Sequence, residues 1–470
     1  MPFYVKINQK RELVVYYEKP FYGCLSFNFT SFSSMSISIG IRHEDRYAME
    51  RRVALTPRHI TRLVDQYNLD VQVEKSTRRF FSDQEYIDAG AKVVDTLERS
   101  QVIFGVKEMP VHYFESGKTY VFFSHVIKGQ VRNMPMVRRM MDLGCNLIDY
   151  EKIVDEQNRR IIFFGHFAGL AGTINTLWTL GLRLKHYGYE TPFLKIKQAH
   201  TYNSLDDARN IVSQVGAEIA ASGLPPSLIP FVIGFTGNGN VSKGAQELLH
   251  YLPTLEISPE KLLELQSHHS HPANVLYKVV FQQQHLAVLS DQVKAFDLAH
   301  YYAHPDKYCN AFEKYIPHLS VLVNGMYWDE RFPRLITREY LKAVYASAEQ
   351  PKLKVIGDIT CDPNGSVEAN LEAATVENPI YSYNPDDHTI QYGYTGQGLQ
   401  LMAVDILPSE LPREASEAFG DALLPYVRQI ATADYSESYD DIDLPRAIKK
   451  ALILLRGEFT PAYKYLEKYI

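Results

Sequence analysis

The residues with the clearest chemistry are Phe231-Val-Ile-Gly-Phe-Thr-Gly-Asn-Gly-Asn-Val-Ser-Lys-Gly244-Ala-Gln-Glu-Leu-Leu, an apolar run, a glycine-rich turn and a helix-forming pattern. Gly237 suits a tight strand-to-helix turn. Gly239, with no Cβ, lets the backbone approach a pyrophosphate at the positive end of the helix. Gly237, Gly239, Asn240, Val241 and Gly244 are therefore candidate nucleotide contacts. Ser242 stands where the third glycine of G-x-G-x-x-G belongs, with Gly244 two places later, and the same turn also joins strand to helix in proteins that bind nothing.

The elements around this turn alternate between strand-like and helix-like, which predicts a parallel α/β organisation. Ser36 to Arg42, Val71 to Glu74, Val102 to Lys107, Thr119 to Phe123 and Asn146 to Asp149 read as strands. Thr56-Pro57 is a helix start, with threonine as cap and proline in the first turn, and the helix continues to Tyr67. Gln130 to Leu143 forms another helix. Ala168 to His186 is long and apolar, with Gly169 and Gly172 placed to let a second backbone pack closely. It reads equally as an inter-domain connection and as a plain core helix.

Composition limits the function classes. At 470 residues the chain exceeds one ordinary core, so two domains are expected. With 46% hydrophobic and 22% charged residues it has a soluble globular makeup. A net charge of -6 argues against a nucleic-acid-binding face. Cys24, Cys145, Cys309 and Cys361 form no C-x-x-C pair, which points to neither zinc nor a disulfide framework and favours a reducing compartment. No run approaches the roughly 20 apolar residues of a membrane span. His268, His269 and His271, in Ser267-His-His-Ser-His-Pro272, read as a solvated loop rather than a metal site. Gly393-Tyr-Thr-Gly-Gln-Gly398 reads as a turn before the strand Leu399 to Val404.

Six further segments occur in order: Arg51-Arg-Val-Ala-Leu-Thr-Pro57, Gly105-Val-Lys-Glu-Met-Pro110, Phe122-Phe-Ser-His-Val-Ile-Lys128, Leu147-Ile-Asp-Tyr-Glu151, Gly165-His-Phe-Ala-Gly-Leu-Ala-Gly172 and Leu407-Pro-Ser-Glu-Leu-Pro-Arg-Glu-Ala-Ser416. With the glycine-rich turn, Asn324-Gly-Met-Tyr-Trp328 and Gly357-Asp-Ile-Thr-Cys-Asp362, they resemble lysine-ketoglutarate reductase. Its wider relatives are the lysine-forming saccharopine dehydrogenases and, more distantly, alanine dehydrogenase and the nicotinamide-binding part of transhydrogenase. The resemblance runs from about Met35 to the C-terminus.

The resemblance implies an α/β protein of two Rossmann-like domains with parallel sheets separated by a cleft, the first completed by the C-terminal segment. The expected division is residues 1–34 as an N-terminal extension, disordered or a misassigned start; 35–165 as the first part of the substrate domain; 166–365 as the nucleotide domain; and 366–470 as the return segment. It implies condensation of L-lysine with 2-oxoglutarate and reduction of the imine by NAD(P)H to saccharopine. Lys107 and His125 match the acid/base positions. Arg42 and Lys128 match carboxylate-binding positions, Glu108 and Glu151 are placed to balance substrate amino groups, and Asp358 matches an aspartate on the nicotinamide side. The family needs no metal. At the end of an apolar run, Lys107 would be partly desolvated, lowering its pKa from about 10.4.

Leu255-Glu-Ile-Ser-Pro-Glu-Lys261 offers both signs of charge where the adenosine ribose would bind. Glu256 favours NAD, whereas the resemblance leans to NADP, and NADP is preferred on that basis. The chain stops at Ile470, where bifunctional relatives continue into a glutamate-forming saccharopine dehydrogenase. A one-step enzyme with a separate partner for the second step is therefore expected, in the cytoplasm or, as the alternative, the mitochondrial matrix. Competing readings are the reverse, lysine-forming direction, an alanine-dehydrogenase-like enzyme using ammonia and a small keto acid, and a non-catalytic nucleotide sensor.

Overall fold

Short apolar runs buried along their whole length can be satisfied only inside a sheet covered on both faces, and this is how most strands of the chain behave. The computed structural model describes residues 3–7, 13–17, 37–265, 270–290, 295–346 and 351–470. The chain divides into a unit of residues 1–36 and a unit of residues 37–470. In the first, β1 (Phe3–Ile7) and β2 (Leu13–Tyr17) pair antiparallel. The rest of the extension expected over residues 1–34, with Cys24, lies outside the described residues, as do His268 and His269.

The second unit holds two eight-stranded sheets. The first comprises β3 (Ser38–Ile41), β4 (Asp70–Glu74), β5 (Lys92–Val94), β6 (Val102–Phe104), β7 (Thr119–Phe122) and β8 (Asn146–Asp149), all parallel. The second contains β9 (Phe231–Thr236), β10 (Thr254–Glu256) and β11 (Leu276–Phe281). A separate two-stranded sheet, β12 (Ala287–Leu289) with β13 (Tyr308–Asn310), follows in the chain. The second large sheet resumes with β14 (Val321–Asn324), β15 (Val355–Asp358), β16 (Ile380–Asn384), β17 (Thr389–Tyr392) and β18 (Leu399–Met402), in the order β10-β11-β9-β14-β15-β18-β16-β17. The chain then returns to the first sheet as β19 (Leu452–Leu455), antiparallel to β8, and β20 (Glu458–Phe459).

The expected boundary at residue 365 therefore falls too early. β18 is wholly buried and pairs in parallel with β15, and β16 pairs with β18, so residues 380–402 belong to the second sheet. The return to the first lobe starts with the helix Pro412–Thr432, whose Phe419, Leu423, Val427 and Ile430 enter the first core. The Ser416 hydroxyl accepts the Val53 N–H at 3.0 Å. The turn at 393–398 precedes β18 as expected. The Arg183 guanidinium binds the carbonyls of Tyr394, Gly396 and Gly398 at 2.6 to 2.8 Å, which makes the turn a capped corner of the second lobe.

The helices begin with α1 (Pro57–Tyr67), opened by Thr56 and Pro57 and ended by Asn68 at φ 50°. α2 (Asp83–Asp88) and α3 (Met134–Asp142) follow. α4 (Gly165–His186) is buried nearly all round because it connects the lobes and packs under the second sheet. α5 (Leu205–Ser222) precedes β9, and α6 (Asn240–Glu247) follows the glycine-rich turn. α4 and α6 touch backbone to backbone: a Cβ built on Gly169 would lie 2.0 Å from the Val241 carbonyl oxygen, and one on Gly244 would lie 2.1 Å from that of His166. Among the described residues, no helix is long and apolar enough to cross a membrane.

Candidate active site

The parallel strands of the first sheet all point their C-terminal ends the same way, so the residues that follow them converge at one edge. Lys107 follows β6, Ser124 and His125 follow β7, and Glu151 follows β8. The loop between β3 and α1 adds Glu44, Glu50 and Arg52, and the return from β18 adds Asp405. Arg52, Lys107, Phe123, His125, Glu151 and Asp405 line a cavity of about 210 Å³, together with Phe164 and Arg160.

Lys107 is the central cation. Burial, and next the positive Arg52 guanidinium, lower its pKa below the ordinary lysine value, against the opposing charges of Glu50, Glu108 and Asp405. Its ammonium lies 5.6 Å from the centre of the Tyr47 ring. Arg52 is gripped by Glu50 through Nε to Oε1 at 2.7 Å and through a second contact to Oε2 at 2.5 Å, and lies over the Phe164 ring at 4.2 Å. Burial would raise the Glu50 pKa, but Arg52 overcomes it and the net shift is downward. Burial raises the Asp405 pKa, with Lys107 the largest opposing influence.

His125 has a left-handed backbone at φ 48°, held by Asn133 Nδ2 donating to its carbonyl at 2.9 Å. Its Nδ1 lies 2.9 Å from Glu108 Oε1, a close ion pair that is not aligned as a hydrogen bond. Burial alone would raise the Glu108 pKa. His125, the Glu108 backbone amide and Lys107 reverse this and bring it to about 2. The folded value lies below the unfolded one of about 4.3, so the ionised carboxylate stabilises the fold at neutral pH by roughly 3 kcal/mol. That contribution is lost as the pH falls from about 4.3 through 2. Glu108→Gln is expected to lose stability at pH 7, to close about half of the gap to wild type near pH 3 and most of it near pH 2, as read by denaturant unfolding. A pH-independent gap would show that the carboxylate's charge is not what stabilises this corner.

The structure brings Lys107, His125 and Glu151 together in the cavity and sets Glu108 behind His125. Glu151 pairs with Arg160, and its backbone N–H donates to Asp149 Oδ1 at 2.8 Å. Two expected substrate contacts are placed elsewhere. Arg42 is buried, ion-paired to Asp45 at 2.7 Å and stacked 4.5 Å from the Tyr113 ring, because the peptide following β3 turns it into the sheet edge. Lys128 is exposed on the loop past His125, where its charge acts on Asp362. Arg52, Asp405 and Arg160 also line the cavity. Sequence reading passed over these three, although Arg52 lies inside one quoted segment and Asp405 two residues before another.

At the second sheet, Gly237 has φ 81°, and a Cβ at Gly239 would meet nothing within 4 Å, leaving open space before α6. Asn240 and Val241 start that helix. This fits a pyrophosphate at the helix N-terminus. Glu256 ends β10 and lines a neighbouring cavity of about 560 Å³ with Lys243, Ser258 and His285. Lys278 Nζ donates to Glu256 Oε2 at 2.8 Å. Asp358 ends β15 but is fully engaged: Thr360 Oγ1, Asn370 Nδ2 and Asn324 Nδ2 donate to it at 2.6, 2.8 and 2.9 Å. Burial raises its pKa, against those hydrogen bonds. It acts as a polar knot joining β14 and β15.

A sheet built of parallel strands, an N-terminal lobe carrying a lysine and a histidine at its strand ends, and a glycine-rich turn in the second lobe define a two-lobed nucleotide-binding architecture, and the family models agree. The alanine dehydrogenase/PNT N-terminal domain matches residues 40–171 and the corresponding C-terminal domain residues 254–462. The chain belongs to the alanine dehydrogenase/PNT family. It is 37% identical over 443 residues to the mitochondrial alpha-aminoadipic semialdehyde synthase of Rattus norvegicus, covering 92% of this chain and 47% of the rat protein. It is 38% identical to the Arabidopsis thaliana protein of that name, covering 92% of this chain and 41% of the relative. The chain thus spans about half the length or less of these relatives. The lysine-forming, NAD(+) saccharopine dehydrogenase of Yarrowia lipolytica is 26% identical, covering 85% of this chain and 93% of the relative. Among solved structures, an L-alanine dehydrogenase superposes with a TM-score of 0.58 at 18% identity, covering 92% of this chain and 99% of that one. Transhydrogenase from Sinorhizobium meliloti superposes at 0.54 and 15%, covering 90% and 100%. These two likenesses define the fold.

Proposed function

We propose that the protein is a lysine-ketoglutarate reductase, which condenses L-lysine with 2-oxoglutarate and reduces the resulting imine to saccharopine. The observation that carries this reading is the half-desolvated Lys107 beside His125 in a cavity lined by both arginines and carboxylates. Two amino acid skeletons bring both kinds of charge, and a cavity with both signs suits them. The similarity to the semialdehyde synthases and to the lysine-forming saccharopine dehydrogenase supports the substrate class.

Each chemical step then has a residue. Lysine must present a neutral ε-amine, and Lys107, with its lowered pKa, accepts that proton within the cavity. Attack on the ketone carbon gives a carbinolamine, whose hydroxyl leaves as water after taking a proton. With Nδ1 of His125 engaged by Glu108, Nε2 is the nitrogen that exchanges protons with the reacting oxygen. Arg52 and Arg160 bind substrate carboxylates, while Asp405 and Glu151 face the amino groups. The dinucleotide, held by its pyrophosphate at the turn formed by Gly237 and Gly239, would supply the hydride from its nicotinamide.

NADPH is the proposed reductant. Glu256 in the ribose position would favour NADH, but Lys278 neutralises it and Lys243 lines the same cavity, which suits a 2′-phosphate. Lys278→Met is expected to lower kcat/KM for NADPH at least about tenfold relative to NADH, the size of one lost charged contact. Equal losses with both nucleotides would remove Lys278 from cofactor selection. The test of the function itself is lysine- and 2-oxoglutarate-dependent oxidation of NADPH by the purified protein, with saccharopine identified by mass spectrometry and the reverse reaction run from saccharopine. Oxidation with pyruvate and ammonium, and none with lysine, would reassign it as an amino-acid dehydrogenase. Nucleotide binding without turnover would make it a sensor.

A further inference from the structure

Lys107 is aimed by its backbone. Among the described residues, no side chain forms a hydrogen bond or ion pair with its ammonium, so the direction of the side chain depends on where the peptide leaves β6. β3 and β6 pair in parallel, and Arg42 N–H still donates to the Phe104 carbonyl at 2.9 Å. Beyond that point the ladder ends. The carboxylate of Glu44 replaces it: Oε1 accepts the Val106 N–H at 2.7 Å and Oε2 accepts the Lys107 N–H at 2.9 Å. From the other side, Phe123 N–H donates to the Val106 carbonyl at 3.0 Å. Glu44 is 4% exposed.

We propose that Glu44 is a positioning residue for the reaction, a two-pronged acceptor that clamps consecutive amides of Val106 and Lys107 and thereby points the Lys107 ammonium into the substrate cavity. This rests on the functional reading above. The chemistry requires a carboxylate, because only an ionised carboxyl offers two oxygens and no donor. Glutamine would keep one bond and turn an NH₂ towards the other amide, leaving a buried donor facing a donor. Holding a carboxylate here is costly, since burial drives its pKa up to about 7 against the pull of Arg42. Gly105 lies beside the clamp: a Cβ there would sit 3.4 Å from Glu44 Oε1, an ordinary contact, and 2.7 Å from Met109 Cε.

The test compares wild type, Glu44→Asp and Glu44→Gln in the full chain, measuring kcat, KM for lysine and for 2-oxoglutarate, NADPH binding, and hydrogen exchange of the peptide spanning residues 104–109. Glu44→Gln should lose at least about tenfold in kcat, as expected for a misplaced catalytic group. KM values should stay within about twofold, NADPH binding should be unchanged, and exchange at residues 106 and 107 should quicken. Aspartate keeps both acceptors on a shorter stem and should retain more activity than glutamine. Unchanged kcat with faster exchange would overturn the proposal, as would glutamine outperforming aspartate or a parallel loss of kcat, KM and nucleotide binding. If the glutamine variant fails to fold, aspartate decides: lowered kcat at unchanged KM supports the clamp, and wild-type kcat with faster exchange overturns it. Wild-type protein inactive with lysine would instead sink the functional reading and this role with it, whereas an active wild type matched by an equally active Glu44→Gln sinks only the role of Glu44.

Discussion

Lys107→Met is expected to lower kcat for lysine-dependent NADPH oxidation by about 10²- to 10⁴-fold, the usual contribution of a positioned acid/base group, with NADPH binding unchanged. Methionine keeps the length and apolar body of the side chain, so the substitution removes the ammonium and little else. The Glu50 grip on Arg52 does not involve Lys107 and should survive. Stability gives an independent check. The folded pKa of Lys107 lies below that of an unfolded lysine, because burial and then Arg52 disfavour its charged form. The charged group therefore opposes folding at neutral pH, and that opposition fades as the pH rises through its folded pKa towards the unfolded value. The variant should melt no lower than wild type at pH 7, which separates lost chemistry from lost structure. Retention of more than about a tenth of wild-type kcat would remove Lys107 from proton transfer.

The second large effect is structural. Gly169→Val should cost about 3 kcal/mol or more, or prevent soluble expression, because its Cβ would meet the Val241 carbonyl oxygen at 2.0 Å and the Ala245 nitrogen at 2.5 Å. Those atoms are backbone and cannot rotate away. α6 would have to move, carrying the glycine-rich turn with it, so nucleotide affinity should fall together with stability. Gly239→Ala provides the contrast. Its φ of -77° suits alanine and the Cβ would project into open space, so stability should remain within about 0.5 kcal/mol while NADPH binding weakens, because the methyl group occupies the approach of the pyrophosphate. Thermal melts with and without NADPH read both outcomes. A Gly169→Val protein as stable as wild type would show that the two helices can separate at little cost, and a Gly239→Ala protein that binds NADPH normally would move the nucleotide off this turn.

The two effects share a cause. Lys107 and the nucleotide turn belong to different lobes, and α4 packs against α6 while its N-terminal Gly165 and Ala168 line the Lys107 cavity. The small residues of Gly165-His-Phe-Ala-Gly-Leu-Ala-Gly172 therefore serve both sites.

Strand runs such as Thr119 to Phe123 and Asn146 to Asp149 were legible in the sequence because an apolar stretch of that length must be buried on both faces, which demands a covered parallel sheet. Thr56-Pro57 marked the start of α1, and the glycines of α4 announced a close backbone neighbour, since both signals are local. Lys107 was legible at the end of an apolar run, and His125 and Glu151 only through the family resemblance. Tertiary structure alone decided the rest. Arg42 and Arg52 are equally basic in sequence, yet the turn after β3 buries the first against Tyr113 and Asp45 and directs the second to the cavity. Residues 380–402 joined the second sheet because β18 found its partner in β15, a pairing between strands 40 residues apart that no local pattern encodes. Glu44 gained its role only when folding placed it beside amides more than 60 positions away, where a carboxylate is the one side chain able to accept both.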